Sequence, residues 1–354
     1  MDRKVLRIGT RESQLAVWQA NTVKHLLAAN GFTSELVYIK SEGDIDLKTP
    51  LYEMGVQGIF TRSLDIALLN NHIDIAVHSM KDVPTQLPMG IVQAAVLKRA
   101  SYKDLLVYKG NRQKAEEALG LVNGQWSMVN GEEGQVSSEL SVANQQQKTN
   151  NSQLTTDYSQ LTTHHSPLII ATSSIRRKAQ WLNRYPHHTL ENLRGNVNTR
   201  LRKVVESSWN GAIFAAAGLE RIGLRPENSI ELDWMLPAPA QGAIMVVCKE
   251  NDAFAIDACS LFNDEETALC THVEKDFLRQ LMGGCSTPVS ALAQIKNDEV
   301  IFKGNIFSLD GSERIDVQMK ATQATALNLG TEAANELLAN GGRKIFESIH
   351  HERL

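Results

Sequence analysis

The stretch HIDIAVHSMKDVPTQLP, residues 72–88, decides how this chain folds. Ile73, Ile75 and Val77 alternate with Asp74 and Ala76, the pattern of a short buried strand. Where the strand should stop come His78, Ser79, Lys81 and Asp82, closed by Val83 and Pro84. Pro84 disfavours helix at Val83, so Asp82 is expected in a turn. Open α/β sheets bind ligands at the carboxyl ends of their strands. A lysine beside an aspartate is also what a plain solvated turn looks like, and such surface pairs contribute little. The rest of the chain must decide between the two.

Upstream, GIFTRSLDIALLNNHI (58–73) reads as an amphipathic helix that feeds this strand. VLRIGTR (5–11) and FTSELVYIK (32–40) read as strands. Between them residues 12–30 carry Leu15, Trp18, Val23, Leu26 and Leu27 at helical spacing, stopped by Asn30 and Gly31. This alternation is the grammar of a mostly parallel sheet. Downstream, DLLVYKG (104–110) opens a second unit. The pattern then fails over 111–166, where 144–165 is polar and SQLTT occurs twice, so the segment reads mainly as an inserted loop. PLIIATSS (167–174) is a buried strand, followed by a helix from Ile175. GAIFAAAGL (211–219) reads as a strand passing into a loop, and GAIMVVC (242–248) as a further strand. Beyond residue 265 the character changes. Leu269, Val273, Phe277 and Leu281 share one helical face, Gly283 and Gly284 end that helix, and Cys285 follows. Strand-like runs at 299–308 and 313–321 and a terminal helix at 325–342 complete a small α+β unit.

The 354 residues suffice for two or three domains. A net charge of -4 argues against a general nucleic-acid binder. No apolar run approaches the roughly 18 residues of a membrane span. The N-terminus lacks an apolar core of signal-peptide length, so neither membrane insertion nor secretion is expected. Cys248, Cys259, Cys270 and Cys285 show no CxxC or zinc-site spacing. A reduced, cytoplasmic protein without a metal is the expectation.

Basic residues gather where the second unit's strands end. SSIRRKAQ (173–180) sets Ser173, Ser174, Arg176 and Arg177 at a strand-to-helix turn, where free backbone N–H groups and the helix dipole favour anions. Arg194, Arg200, Arg202 and Lys203 follow in LRGNVNTRLRK (193–203), and Arg221 in GLERIG (218–223). The first unit offers Arg11 and Ser13 beside Lys81. Any one of these arginines suits a solvated helix face equally well. Several at successive strand ends, in a net acidic chain, imply a ligand with several negative charges. Cys285 remains open at this stage, either an ordinary buried thiol or a nucleophile or covalent anchor.

Taken in order, TRESQLA (10–16), EGD (42–44), AVHSMKDVP (76–84), ATSSIRR (171–177), LRGNVNTRL (193–201), AAAGLERIG (215–223), APAQGA (238–243), ETAL (266–269) and GGCSTP (283–288) resemble the porphobilinogen deaminase (hydroxymethylbilane synthase) family. Each motif alone is weak. The ordered set spans nearly the whole chain outside the insertion.

The resemblance implies a transferase that joins four porphobilinogen units head to tail, releasing ammonia each time, to give the linear tetrapyrrole of haem biosynthesis. It implies a dipyrromethane cofactor held by a thioether to Cys285. Arg11, Ser13, Lys81, Ser173, Ser174, Arg176, Arg177, Arg194, Arg200, Arg221 and Gln241 would hold the acetate and propionate groups of the cofactor and growing oligopyrrole. Asp82 would be the catalytic carboxylate, facing the pyrrole nitrogens of cofactor and substrate, assisting loss of ammonia and stabilising the cationic azafulvene, with Lys81 as its catalytic neighbour. The implied fold is α/β, with two periplasmic-binding-protein-like lobes of mixed, mostly parallel sheets plus a small C-terminal α+β domain. Domain 1 would comprise 1–101 and 242–260, domain 2 residues 104–237 with the insertion 111–166, and domain 3 residues 265–354. A cytoplasmic monomer is expected, with no nucleic-acid or membrane partner. Two features depart from the pattern: the insertion, and Glu53 and Gln57 where relatives carry lysines in a loop over the cleft. Glu53 and Gln57 keep a degenerate paralogue in view, and a polycarboxylate-binding protein without turnover on the same two lobes is a second alternative.

Overall fold

Two five-stranded sheets form the body of the protein, and they repeat one plan. The first contains β1 (Leu6–Thr10), β2 (Ser34–Tyr38), β3 (Ile75–Ser79), β4 (Ile91–Leu97) and β12 (Ile244–Lys249), in the order β2-β1-β3-β12-β4. The second contains β5 (Asp104–Tyr108), β8 (Ile169–Ala171), β9 (Thr189–Glu191), β10 (Gly211–Ala215) and β11 (Ser229–Glu231), in the order β11-β5-β10-β8-β9. In each, four strands share one direction and the fifth inserts antiparallel between two of them: β12 between β3 and β4, β5 between β10 and β11. The computed structural model describes residues 4–40, 61–122, 125–126, 167–281 and 287–351.

The inserted strand is what makes the lobes share a chain. It leaves the first lobe after β4, and it returns after β11 to supply β12. These two crossovers lie against each other. Gly242 adopts φ 89°, and a Cβ there would stand 2.8 Å from the carbonyl oxygens of Ala100 and Ser101, so no side chain fits. Helices cover both faces of each sheet. On the first sheet, Ile75, Val77 and Val246 meet Ala20, Val23 and Leu27 of the Gln14–Ala29 helix on one face. On the other, Ala76, Met245 and Val247 meet Leu64 and Leu68 of the Arg62–Leu69 helix.

The third unit is the Glu265–Gln280 helix on an antiparallel sheet of β13 (Val289–Lys296), β14 (Glu299–Phe307) and β15 (Arg314–Thr322). Val273, Phe277 and Leu281 are buried in its core with Phe302 and Ile306. Several elements differ from the sequence reading: 211–219 passes from β10 into a short helix, Ala216–Glu220, where a loop was expected, and a further helix, Arg343–His351, follows the expected terminal one. β13 was not expected, because its small residues Ser290, Ala291 and Ala293 are buried on both faces and show no alternation. Within 111–166 a helix, Arg112–Ala118, follows Asn111, whose side chain caps Gln113 N–H at 2.8 Å. Its Arg112–Glu116 and Gln113–Glu117 pairs, not an apolar stripe, support it. Residues 127–166, with the repeated SQLTT, lie outside the described residues, as do Glu53, Gln57 and Cys285.

Candidate active site

β3 runs directly into a single 3-10 turn, Met80–Asp82. The turn is anchored at its apolar ends: Met80 and Val83 are buried in a cluster with Leu64, Ile91, Ala243 and Met245. Met80 N–H donates to the carbonyl of Ala243 at 3.1 Å, and Val83 N–H donates back to Met80 at 3.2 Å. With both ends held, Lys81 and Asp82 are left half-buried between the lobes. Neither side chain has a hydrogen-bond or ion-pair partner among the described residues.

Their electrostatic neighbours come from the second lobe. Burial lowers the Lys81 pKa, Asp82 opposes that, and Arg177, Asp104 and Arg176 act on it in turn. Burial, then the like charges of Arg177 and Arg194, bring the Arg200 guanidinium down to about 10, with Asp82 opposing. Asp82 and Arg200 therefore sense each other across the cleft. Arg200 fixes its Nε on the carbonyl of Gly195 at 2.7 Å, and its two terminal nitrogens have no partner among the described residues.

Arg176 and Arg177 sit in the first turn of the Ile175–Arg184 helix, which Ser174 caps by accepting from Arg177 N–H. Both converge on Asp104, a fully buried residue at the start of β5. Arg176 Nη2 reaches Asp104 Oδ2 at 2.8 Å, and Arg177 Nη2 reaches Oδ1 at 2.7 Å. Burial would raise the Asp104 carboxyl, but the two guanidiniums hold it well below the usual carboxylate range. Arg177 Nη1 also donates to Ile213 O and Arg176 Nη1 to Leu236 O. These two arginines thus act on Lys81 through their field, while Arg176 Nε is buried with no partner among the described residues. Asp104 escaped the sequence reading; its signal is a lone carboxylate heading an otherwise apolar strand, DLLVY.

The other expected residues fall in three places. Ser13 caps the Gln14–Ala29 helix at the end of β1, the counterpart of Ser174 in the second lobe. Arg11 acts on His78, Arg194 is buried, and Ser173 is half-exposed beside Ser174. Arg221 and Gln241 instead lie at the crossovers. Arg221 Nη2 donates to Gly242 O at 2.6 Å, with its guanidinium 5.8 Å from the Trp18 ring centroid. Gln241 Nε2 donates to Asp104 Oδ1 at 2.9 Å and Tyr102 O at 2.7 Å.

A second buried carboxylate joins the third unit to these crossovers. Glu274 has no exposed side-chain surface and pairs with Arg99 at 2.6 and 3.0 Å. It also accepts from Ala240 N–H at 2.6 Å and Ala293 N–H at 2.7 Å. Glu274→Ala is expected to destabilise the protein by about 3–5 kcal/mol, because it strands the mostly buried Arg99 charge and leaves the Ala240 and Ala293 N–H groups unpaired. Denaturant titration checks this, and a loss below about 1 kcal/mol, the scale of an exposed pair, contradicts it.

His78, at the end of β3, is buried and its Nε2 has no partner among the described residues. Burial, helped by the Arg11 charge, pushes its imidazole down from 6.5 to about 4. Below pH 6.5 the unfolded chain takes up a proton that the folded one refuses, so stability falls from there down to about pH 4. The shift corresponds to at most about 3 kcal/mol. Burial raises Asp65 to about 6, which acts in the opposite sense, so wild type must be compared with His78→Gln. The variant should lose less stability between pH 7 and pH 5; parallel curves would contradict the assignment.

Comparison with known proteins gives one consistent family. The family model described as porphobilinogen deaminase, dipyromethane cofactor binding domain, matches residues 6–125 and 133–257. That described as porphobilinogen deaminase, C-terminal domain, matches residues 268–339. A porphobilinogen deaminase of Trichlorobacter lovleyi is 34% identical over 100% of this chain and 99% of its own. One of Desulforamulus reducens is 34% identical over 97% of both chains. Among solved structures, the methionine binding protein MetQ is similar at 12% identity and a TM-score of 0.40, over 75% of this chain and 93% of its own.

Proposed function

Because this chain belongs to the porphobilinogen deaminase family, we infer that the cleft between its lobes is where four porphobilinogen units are joined head to tail into hydroxymethylbilane, with loss of ammonia at each addition. The observation that carries this reading is the turn itself. It holds one ammonium and one carboxylate, without partners among the described residues, opposite Arg200.

The donor set suits the dipyrromethane of the family. Arg200 is depressed by burial and then by Arg177 and Arg194, a crowding of like charges that bound carboxylates relieve. A dipyrromethane built from two porphobilinogens brings four carboxylates. Lys81, Arg11, Arg194 and Arg200, with the capped helix ends at Ser13 and at Ser173 and Ser174, would hold them. Arg176 and Arg177, fixed by Asp104, would add positive field. Gln241 and Arg221 would set the lobes at the angle this requires. Cys285 would carry the thioether, and the three described cysteines support that choice. Cys248, Cys259 and Cys270 are buried, and burial pushes their thiols up to about 11, 12 and 12, away from the reactive thiolate. When bound, the group supplies the pyrrole carbon to which the first substrate is joined.

At each addition the exocyclic C–N bond of porphobilinogen breaks and ammonia leaves. A C–C bond to the chain's terminal pyrrole forms, and that pyrrole carbon loses its proton. Asp82 sits where its charge offsets the cation that develops on the substrate, while Lys81 holds a carboxylate and keeps it off Asp82. The described groups of the cleft come from one chain, which supports a monomer with domains 1–101 with 242–260, 104–237 and 265–354; a cytoplasmic location is part of the same reading. Incubation with porphobilinogen tests the reading: four ammonia per hydroxymethylbilane is expected. Tight substrate binding without ammonia release would favour a polycarboxylate-binding protein instead.

A further inference from the structure

Lys275 lies on the Glu265–Gln280 helix of the third unit, is 8% exposed, and donates a hydrogen bond from its ammonium to the carbonyl of Val83. Val83 directly follows Asp82, and its carbonyl is the far end of the 3-10 turn. Two helical turns before Lys275, Ala268 packs against the apolar cluster that buries Met80 and Val83. The next residue back, Glu274, holds Arg99 and the Ala240 N–H. The helix reaches Gln280, and Cys285 stands five residues further along the chain.

We propose that Lys275 is a positioning residue for Asp82, tying the backbone just after the catalytic carboxylate to the helix that leads into the cofactor-anchoring loop. The inference rests on the reading of Asp82 given above. The turn is only three residues long, and its own closure is one bond, Val83 N–H to Met80. A turn so short has little rigidity of its own. A buried ammonium is costly unless hydrogen-bonded, and an apolar side chain would fill the same gap without that cost. What the ammonium adds is a charge-assisted bond to one particular carbonyl. Asp82 and the Glu265–Gln280 helix then share a reference point as the bound chain lengthens.

A double-mutant cycle of Lys275→Met and Asp82→Asn, with Lys275→Arg as the conservative control, tests the proposal. Lys275→Met should lower kcat about 10- to 30-fold with KM within about twofold, and Lys275→Arg should recover to within about threefold of wild type. In the Asp82→Asn background the same change should add less than about a twofold loss. Independently of activity, amide exchange at Val83 should quicken about tenfold in Lys275→Met while β1 and β12 keep their protection. Should Lys275→Met fail to fold, Lys275→Gln takes its place in the same cycle. An equal loss in both backgrounds, or unchanged exchange at Val83, overturns the role of Lys275 and leaves Asp82 catalytic. Near-wild-type activity of Asp82→Asn alone overturns the reading beneath it.

Discussion

Asp82→Asn is expected to lower kcat by about two to three orders of magnitude while substrate affinity changes far less. The substitution keeps the shape of the side chain and removes its charge. A carboxylate about 4 Å from a developing cation contributes about 1 kcal/mol in water-like surroundings and about 4 kcal/mol at a protein-like dielectric. Asp82 is half-buried between the lobes with no partner among the described residues, so its charge is not already neutralised. The cation appears only as ammonia leaves, so the interaction acts on the transition state more than on bound substrate. Affinity rests on Lys81 and the arginines instead. Because the same chemistry builds the cofactor, the measurement is single-turnover kinetics on variant protein reconstituted with preformed cofactor. Turnover within about threefold of wild type, well short of a charge effect of this size, would make Asp82 structural.

Cys285→Ser is expected to abolish product formation and leave a folded protein. A serine hydroxyl does not reach the nucleophilicity of a thiolate at neutral pH, so the thioether cannot be replaced by an ether under the same conditions. Stability should be little changed, because the described core of the third unit is built on Val273, Phe277, Leu281 and the three-stranded sheet. Serine at Cys248, Cys259 or Cys270 should behave in the opposite way. Those thiols are buried, so placing a hydroxyl there should cost stability while product still forms. Full activity of Cys285→Ser, or loss of the bound group on changing one of the other three, would refute the anchor assignment.

What the sequence made legible was local. Ile73, Ile75 and Val77 mark β3, and Pro84 bounds the turn that follows it, so the position of Lys81 and Asp82 just past a strand end follows from a few neighbouring residues. Ser174, Arg176 and Arg177 after β8 were legible for the same reason, as a buried strand meeting a cap. The partners were not. Asp104 lies 72 residues from Arg176, and Arg99 lies 175 from Glu274, and no periodicity links such pairs. Neither could alternation show that β12 returns to the first sheet, since a strand buried on both faces reads alike in either lobe. Arg221 and Gln241 show the limit most clearly. An arginine and a glutamine in a glycine-containing loop look like ligand-binding groups, and only the crossover geometry reveals that Gly242 O and Asp104 take them up.

Growth of the product while it stays covalently bound to this chain is read most directly from the intact mass of the purified, denatured protein. The polypeptide should be heavier by two porphobilinogen units less two ammonia, with the added mass mapping to Cys285. Limiting porphobilinogen should then give further species, each heavier by one unit less one ammonia. A single species at the mass of the bare polypeptide, before and after substrate, would contradict it, as would an adduct on Cys248, Cys259 or Cys270.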